Sequence, residues 1–404
     1  MKTKSETGIT LSQRRSTVLG TLIVIALGIG LQTDATASSA AVSRDQAKRI
    51  HDRLVGTPAS DAWITANTGK DALTVAKTAV DPADAESSGF YNATLKNFAM
   101  PWTNRDQTVF APLNDYVATV IGMVRDNVPF NTALSADLIY TAGGGAPGYS
   151  NMDNASYQYL EDNNVDMRST ANLISQKQSA VTGLPAQGVA GLITTRAAAE
   201  AFFIAGTNRA MFRFTMLNHL CHDMEQLQET SRAPDRIRQD VSRSPGGDSR
   251  NFLNGCIGCH SGMDPMAQAF SAYNFDETQG KLIYTPGAVD KKYAINTDNF
   301  KPGYVTPDDH WNNRWREGPN KGLGFSSQLP GSGVGASSLG AEFGNSNAFA
   351  QCQVEKVFKA VCFRAPGNGA DRAAVSGIVA SFKSSNYSMR EVFAETAVYC
   401  MGDE

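Results

Sequence analysis

Residues Cys256, Ile257, Gly258, Cys259 and His260 set two thiols three positions apart, with an imidazole directly after the second. This C-x-x-C-H order is the signature of covalent haem attachment. The two thiols add to the two vinyl groups of one porphyrin, and the adjacent histidine then binds the iron from the proximal side. Other chemistries use part of the pattern. A redox dithiol of the thioredoxin kind sits near a βαβ pattern, and none is visible around residue 256. A structural zinc site needs a second ligand pair at finger spacing, and Cys352 and Cys362 do not form one. The motif occurs once, so one covalent haem c is expected.

The opposite face of the iron decides between electron transfer and small-molecule chemistry. Met263 and Met266 follow His260 too closely to reach that face easily, and the next methionine is Met389. The one strong iron ligand in that gap is His310, beside Trp311, so a bis-histidine haem through His260 and His310 is the leading expectation. His219, His222 and Met389 are further candidates, and an open sixth position would favour peroxide or gas chemistry. Phe270, Tyr273, Phe275, Tyr284 and Trp311 are expected either to line the porphyrin or to pack an ordinary core. Arg314 and Arg316 are read either as partners of the haem propionates or as an exposed cationic face. His51, on the basic side of the first helix, is read as solvated.

Helical periodicity supplies most of the elements that must position these groups. Residues 41–56 carry a short amphipathic pattern. Tyr116, Val117, Val120, Ile121 and Val124 follow helical spacing behind an N-cap at Asn114 or Asp115, with Pro129 as the stop. Residues 134–140, 154–165 and 168–177 also read as helical. A longer helix is expected from Asn208 to Leu227, burying Met211, Phe214, Met216, Leu217 and Leu220. Gly143, Gly144 and Gly145 mark a turn rather than a phosphate cradle. Residues 228–252 form a polar connector into the motif. Residues 281–345, rich in glycine and proline, predict loops with a few short strands. Helices return at 348–363, 371–384 and 388–399, the last two capped by Asp371 and Ser388.

The first residues speak to compartment. Lys2, Lys4, Arg14 and Arg15 precede an apolar run from Val18 to Leu31, and Ala35-Thr36-Ala37 offers a cleavage site. That is the layout of a secretory signal peptide over residues 1–37, too short to span a bilayer comfortably. Its removal leaves no transmembrane span and moves the net charge from −3 to −5, because it carries four basic and two acidic side chains. Mild acidity gives no reason to expect nucleic acid. The mature protein is expected in the periplasm or secreted, as a helical N-terminal region over 38–230 and a haem-binding module with a helical tail over 231–404.

Cys221, Cys352, Cys362 and Cys400 remain, an even number suited to two disulfides in an oxidising compartment. Cys352 and Cys362 on one helix would lie about 15 Å apart at 1.5 Å per residue, beyond the roughly 7 Å between Cα atoms that a disulfide spans. Cys221–Cys352 with Cys362–Cys400 is the preferred pairing, and Cys221–Cys362 with Cys352–Cys400 stays open.

The stretch Cys256 to Pro265, followed by Tyr273-Asn274-Phe275-Asp276, resembles the haem segment of large planctomycete-type secreted cytochromes, in which C-x-x-C-H precedes Met-Asp-Pro and an Asn-Phe-Asp. Asn208-Arg209 through Leu220-Cys221 resembles the preceding helix of that family. Phe349-Ala350-Gln351-Cys352 and Ser384-Ser385-Asn386-Tyr387 resemble its helical tail. The likeness covers about residues 110–400, with only the haem segment specific. Two departures stand out. The histidine that family often carries before the motif is missing from residues 228–255, and the glycine-rich insertion at 281–345 is longer. The resemblance implies a mainly α, bundle-like cytochrome c architecture with a glycine-rich loop and short-strand insertion after the motif. It also implies that Met263, Asp264 and Pro265 shape the chain after His260, with Asp264 orienting the imidazole.

The expected function is monohaem electron transfer to or from a redox partner protein in the periplasm or cell envelope. A haem enzyme or sensor with an exchangeable sixth ligand, and a cytochrome subunit of a periplasmic dehydrogenase complex, are the alternatives. No flavin or nicotinamide fingerprint is present, so substrate oxidation in such a complex would belong to the partner.

Overall fold

Ser43 and Gln46 close a capping box at the start of α1 (Arg44–Val55), whose Ala47, Ile50, Leu54 and Val55 are buried. The computed structural model describes residues 41–204, 206–293 and 300–402; the signal-peptide reading of residues 1–37 lies outside them. Asp71 caps α2 (Ala72–Ala79). Asn114 caps α3 (Asp115–Arg125), accepting from the Val117 amide, and α3 is buried along its whole length. After α4 (Arg209–Thr215) and α5 (Ile257–Ala267) come α6 (Gly335–Gly344), α7 (Asn347–Cys362), α8 (Gly369–Ser384) and α9 (Met389–Cys400). The chain is mainly helical, as expected.

The first and last helices meet: α9 packs on α2, α7 and α8, and α1 packs on α2 and α9. One hydrophobic core runs from Val42 to Ala397, on both sides of residue 230. Phe212 of α4, for example, meets Trp315 and Phe343 edge-on, each at 5.8 Å. Three antiparallel ribbons complete the fold: β1 (Ile139–Ala142) with β2 (Leu173–Gln176), β3 (Tyr273–Asp276) with β4 (Lys281–Tyr284), and β5 (His310–Asn312) with β6 (Ser332–Val334). Among the described residues, no helix is long and apolar enough to cross a membrane.

The structure departs from the periodicity in four places. Residues 134–140 and 168–177 do not form helices. They contribute the β1–β2 ribbon, in which Ile139 faces Gln176 and Thr141 faces Ile174. Branched side chains fit a pleated surface better than a helix there, and the ribbon gains a buried face against α3. The helix expected over 208–227 stops early. It widens into a π-type turn at Met216–Leu220 and ends at Cys221, whose φ of 57° is left-handed. Helix α6 lies inside the insertion read as loop; its glycines hide the four-residue spacing of buried Leu339 and Phe343. Finally, α8 is capped by Asn368, and Asp371 serves as the third helical residue of a capping box.

Candidate functional site

A π-type turn over Phe252–Cys256 runs directly into α5. Residues three and four apart on a helix share a face, so Cys256, Cys259 and His260 point to one side at the start of α5. Both motif thiols are free and partly buried. The other four cysteines are joined as Cys221–Cys352 and Cys362–Cys400, with Cα atoms 5.3 and 5.5 Å apart. These are the preferred pairs.

The segment before the motif closes against it. The Cys259 thiol donates to the Met224 carbonyl at 3.2 Å and accepts from the Gln228 amide at 3.1 Å. The Glu229 amide donates to the Gly258 carbonyl at 2.9 Å. Burial pushes the Cys259 thiol above its ordinary value, so it stays protonated at neutral pH. Glycine at 258 permits this approach, because a Cβ there would sit 2.0 Å from Gln228 Oε1. One turn later Gly262 lies against Trp315, where a Cβ would stand 1.9 Å from the buried indole nitrogen.

His260 is anchored by a carboxylate one turn ahead. Its Nδ1–H donates to Asp264 Oδ1 at 3.0 Å, and Asp264 is fully buried. Arg209 grips the same carboxylate with two bonds, Nε to Oδ1 at 2.8 Å and Nη2 to Oδ2 at 3.1 Å. The Arg238 amide adds a bond to Oδ2 at 3.2 Å. Burial alone would raise the Asp264 pKa. Arg209 and His260 outweigh it and hold the group well below the usual carboxylate range. Arg209 is itself shared with Asp240, at 2.7 and 2.9 Å. An ionised carboxylate accepts only, so the His260 proton is assigned to Nδ1. Nε2 is then left with a lone pair and no hydrogen-bond partner among the described residues. That tautomer is the one in which a histidine binds a metal through Nε2.

His310 lies exposed on β5, its Nδ1 3.2 Å from Asp308. β5 packs on α5, but no described contact joins His310 to His260. His222 is partly buried, with Nδ1 2.6 Å from the Leu220 carbonyl. His219 is enclosed: its Nε2 is 2.6 Å from the Tyr116 hydroxyl, and Trp102 and Phe349 flank its ring. Burial holds it far below the ordinary histidine value. Met263, Met266 and Met389 belong to the core.

Arg314 and Arg316 are committed elsewhere, to Asp235 at 2.6 Å and to buried Glu342 through two bonds of 2.8 and 2.7 Å. Arg314 lines a cleft of about 320 Å³ with Arg232, Arg236 and Pro265, and His260 is not part of its wall. Phe270, Tyr273, Phe275 and Trp311 are buried in the main core, and Tyr284 is packed against it. His51, read as solvated, is instead buried, with the Trp63 ring packed edge-on against it.

The i, i+4 spacing of His260 and Asp264 is legible in the chain. Arg209 and Asp240 carry no such local sign, since they reach Asp264 only through the fold. Among the described residues, no three His, Cys, Asp or Glu side chains converge as a metal-holding group. No protein-family model, curated protein or solved structure matches this chain.

Proposed function

We propose that this chain is an exported monohaem c-type cytochrome that passes electrons to or from a redox protein of the periplasm or cell envelope. One observation carries the reading. Two unpaired thiols and a histidine with a committed Nδ1 share one face at the start of α5, while the remaining cysteines are spent in disulfides.

The donor set fits a covalent haem. Cys256 and Cys259 would hold the group through two thioethers, each thiol adding its sulfur and its hydrogen across one vinyl double bond, with no oxidant required. His260 Nε2 would hold the iron, and Asp264 fixes the ring through Nδ1 so that Nε2 keeps its lone pair. A haem held there supplies one-electron exchange at its iron. The mainly helical fold is compatible with a bundle-like cytochrome c architecture, and His310 on β5 is the proposed second ligand.

A haem enzyme or sensor with an exchangeable sixth ligand is favoured by a separate observation. Of the second-ligand candidates, Met263, Met266, Met389 and His219 are buried in the core, while His222 and His310 are more accessible. Carbon monoxide separates the readings. A ferrous spectrum unmoved by the gas supports electron transfer, and a shifted Soret band rejects six-coordination in favour of an exchangeable site. Histidine-to-alanine substitution at 310, and separately at 222, then identifies the ligand by loss of the low-spin spectrum.

A further inference from the structure

We infer that Asp264 sets the electron-donating strength of His260 toward the iron, and thereby holds the haem at low reduction potential. The inference rests on the haem reading above.

A carboxylate tied only to Arg209 would be a structural clamp between α4 and α5. Asp264 does more, because its Oδ1 is shared between Arg209 Nε at 2.8 Å and His260 Nδ1 at 3.0 Å. The group is wholly buried, and interactions between charges strengthen where water is excluded. A buried anion pulling on the Nδ1 proton makes the imidazole more basic and a stronger donor through Nε2. Stronger donation, together with the nearby negative charge, stabilises the ferric iron over the ferrous.

Arg209 opposes this effect by drawing on the same carboxylate. Asp240 limits that draw, taking Arg209 Nη1 at 2.7 Å and sharing Nη2 at 2.9 Å. The Arg238 guanidinium stands 3.7 Å from Asp240 and balances its charge in turn. The pull on His260 is therefore graded along the line Asp240, Arg209, Asp264. Asp264 has the largest effect, and Asp240 a smaller one in the same direction.

The test uses the full exported chain loaded with haem. Asp264→Asn is expected to raise the midpoint potential, with the pigment still covalently attached. Asp264→Glu, which restores a carboxylate, is expected to return the potential toward the parent value. Asp240→Asn leaves Asp264 in place and is expected to raise the potential by a smaller step; it serves where the buried Asp264 variant fails to fold. An unmoved potential in a folded, pigmented Asp264→Asn protein overturns the inference and leaves the haem reading standing; where only Asp240→Asn folds, its unmoved potential does the same. A parent chain without covalent haem overturns both.

Discussion

Cysteine and histidine serve two regions of this molecule in opposite ways. Around α7 and α9, Cys221, Cys352, Cys362 and Cys400 are consumed as staples. The histidine of that region, His219, is sealed among Trp102, Tyr116 and Phe349 with burial keeping it neutral. At the start of α5, Cys256 and Cys259 stay out of any disulfide, and His260 keeps one ring nitrogen fixed and the other without a partner among the described residues. Residue type alone does not separate the two regions. What separates them is covalent closure and burial: four thiols are joined and two are not, and the unpartnered Nδ1 of His219 is sealed in the core while His260 is part-exposed. Joined thiols contribute stability. Unjoined thiols beside a part-exposed histidine leave a ligand as the expected consumer.

Exchanging the cysteines breaks the comparison most sharply. Cys256→Ala with Cys259→Ala is expected to abolish covalent pigment while leaving the thermal unfolding transition of the stapled region in place. Cys221→Ser with Cys352→Ser is expected to do the reverse. Opening a cross-link between residues 131 apart costs about 5 kcal/mol by loop-closure entropy, and the pair 38 apart costs about 4. Urea unfolding monitored by circular dichroism measures both, and equal pigment loss in the two sets of variants would contradict the division of roles.

Packing beneath the motif gives the next effect. Gly262→Ala forces a methyl group into the Trp315 indole, which is fully buried and cannot withdraw. Overpacking of this kind costs about 1–3 kcal/mol. Gly258→Ala meets only the end of Gln228, a side chain able to turn aside, so a smaller loss is expected in the same unfolding experiment.

Acid sharpens the histidine half of the comparison. The folded-state pKa of His219 lies well below the ordinary 6.5 because of burial first and Lys356 second. Below pH 6.5 the unfolded chain binds a proton that the native state refuses, so stability falls as the pH drops. From pH 6.5 to 5.5 this amounts to about 1 kcal/mol for one such group. His51, also lowered by burial, adds in the same direction. Denaturant titrations of the parent and of His219→Gln at both pH values should show a shallower loss in the variant. An identical loss would show that His219 is not the proton-linked group.

Much of the candidate site was legible from spacing. The motif was legible from spacing and the tail helices from periodicity, the Asp264 contact was implied by the family resemblance, and a shared helix for Cys352 and Cys362 excluded their pairing but left two schemes, of which the fold adopts the preferred one. The failures have physical causes. Residues 134–140 and 168–177 pair with each other across more than thirty positions, and tertiary packing overrode their helical appearance. Cys221 ends its helix in a left-handed turn that makes its bond to Cys352 possible. His51 looked exposed because its neighbours are charged, yet Trp63 covers it. Arg209, Asp240 and Gln228 converge on the motif from distant positions, and no local pattern marks them.

The central claim is that two thioether bonds fasten one porphyrin to residues 256 and 259. Extraction of the purified chain with acidified acetone tests it directly. The pigment, and its Soret absorbance, should remain with the precipitated protein. Colour passing into the solvent, or a chain with no Soret absorbance at the outset, would contradict it.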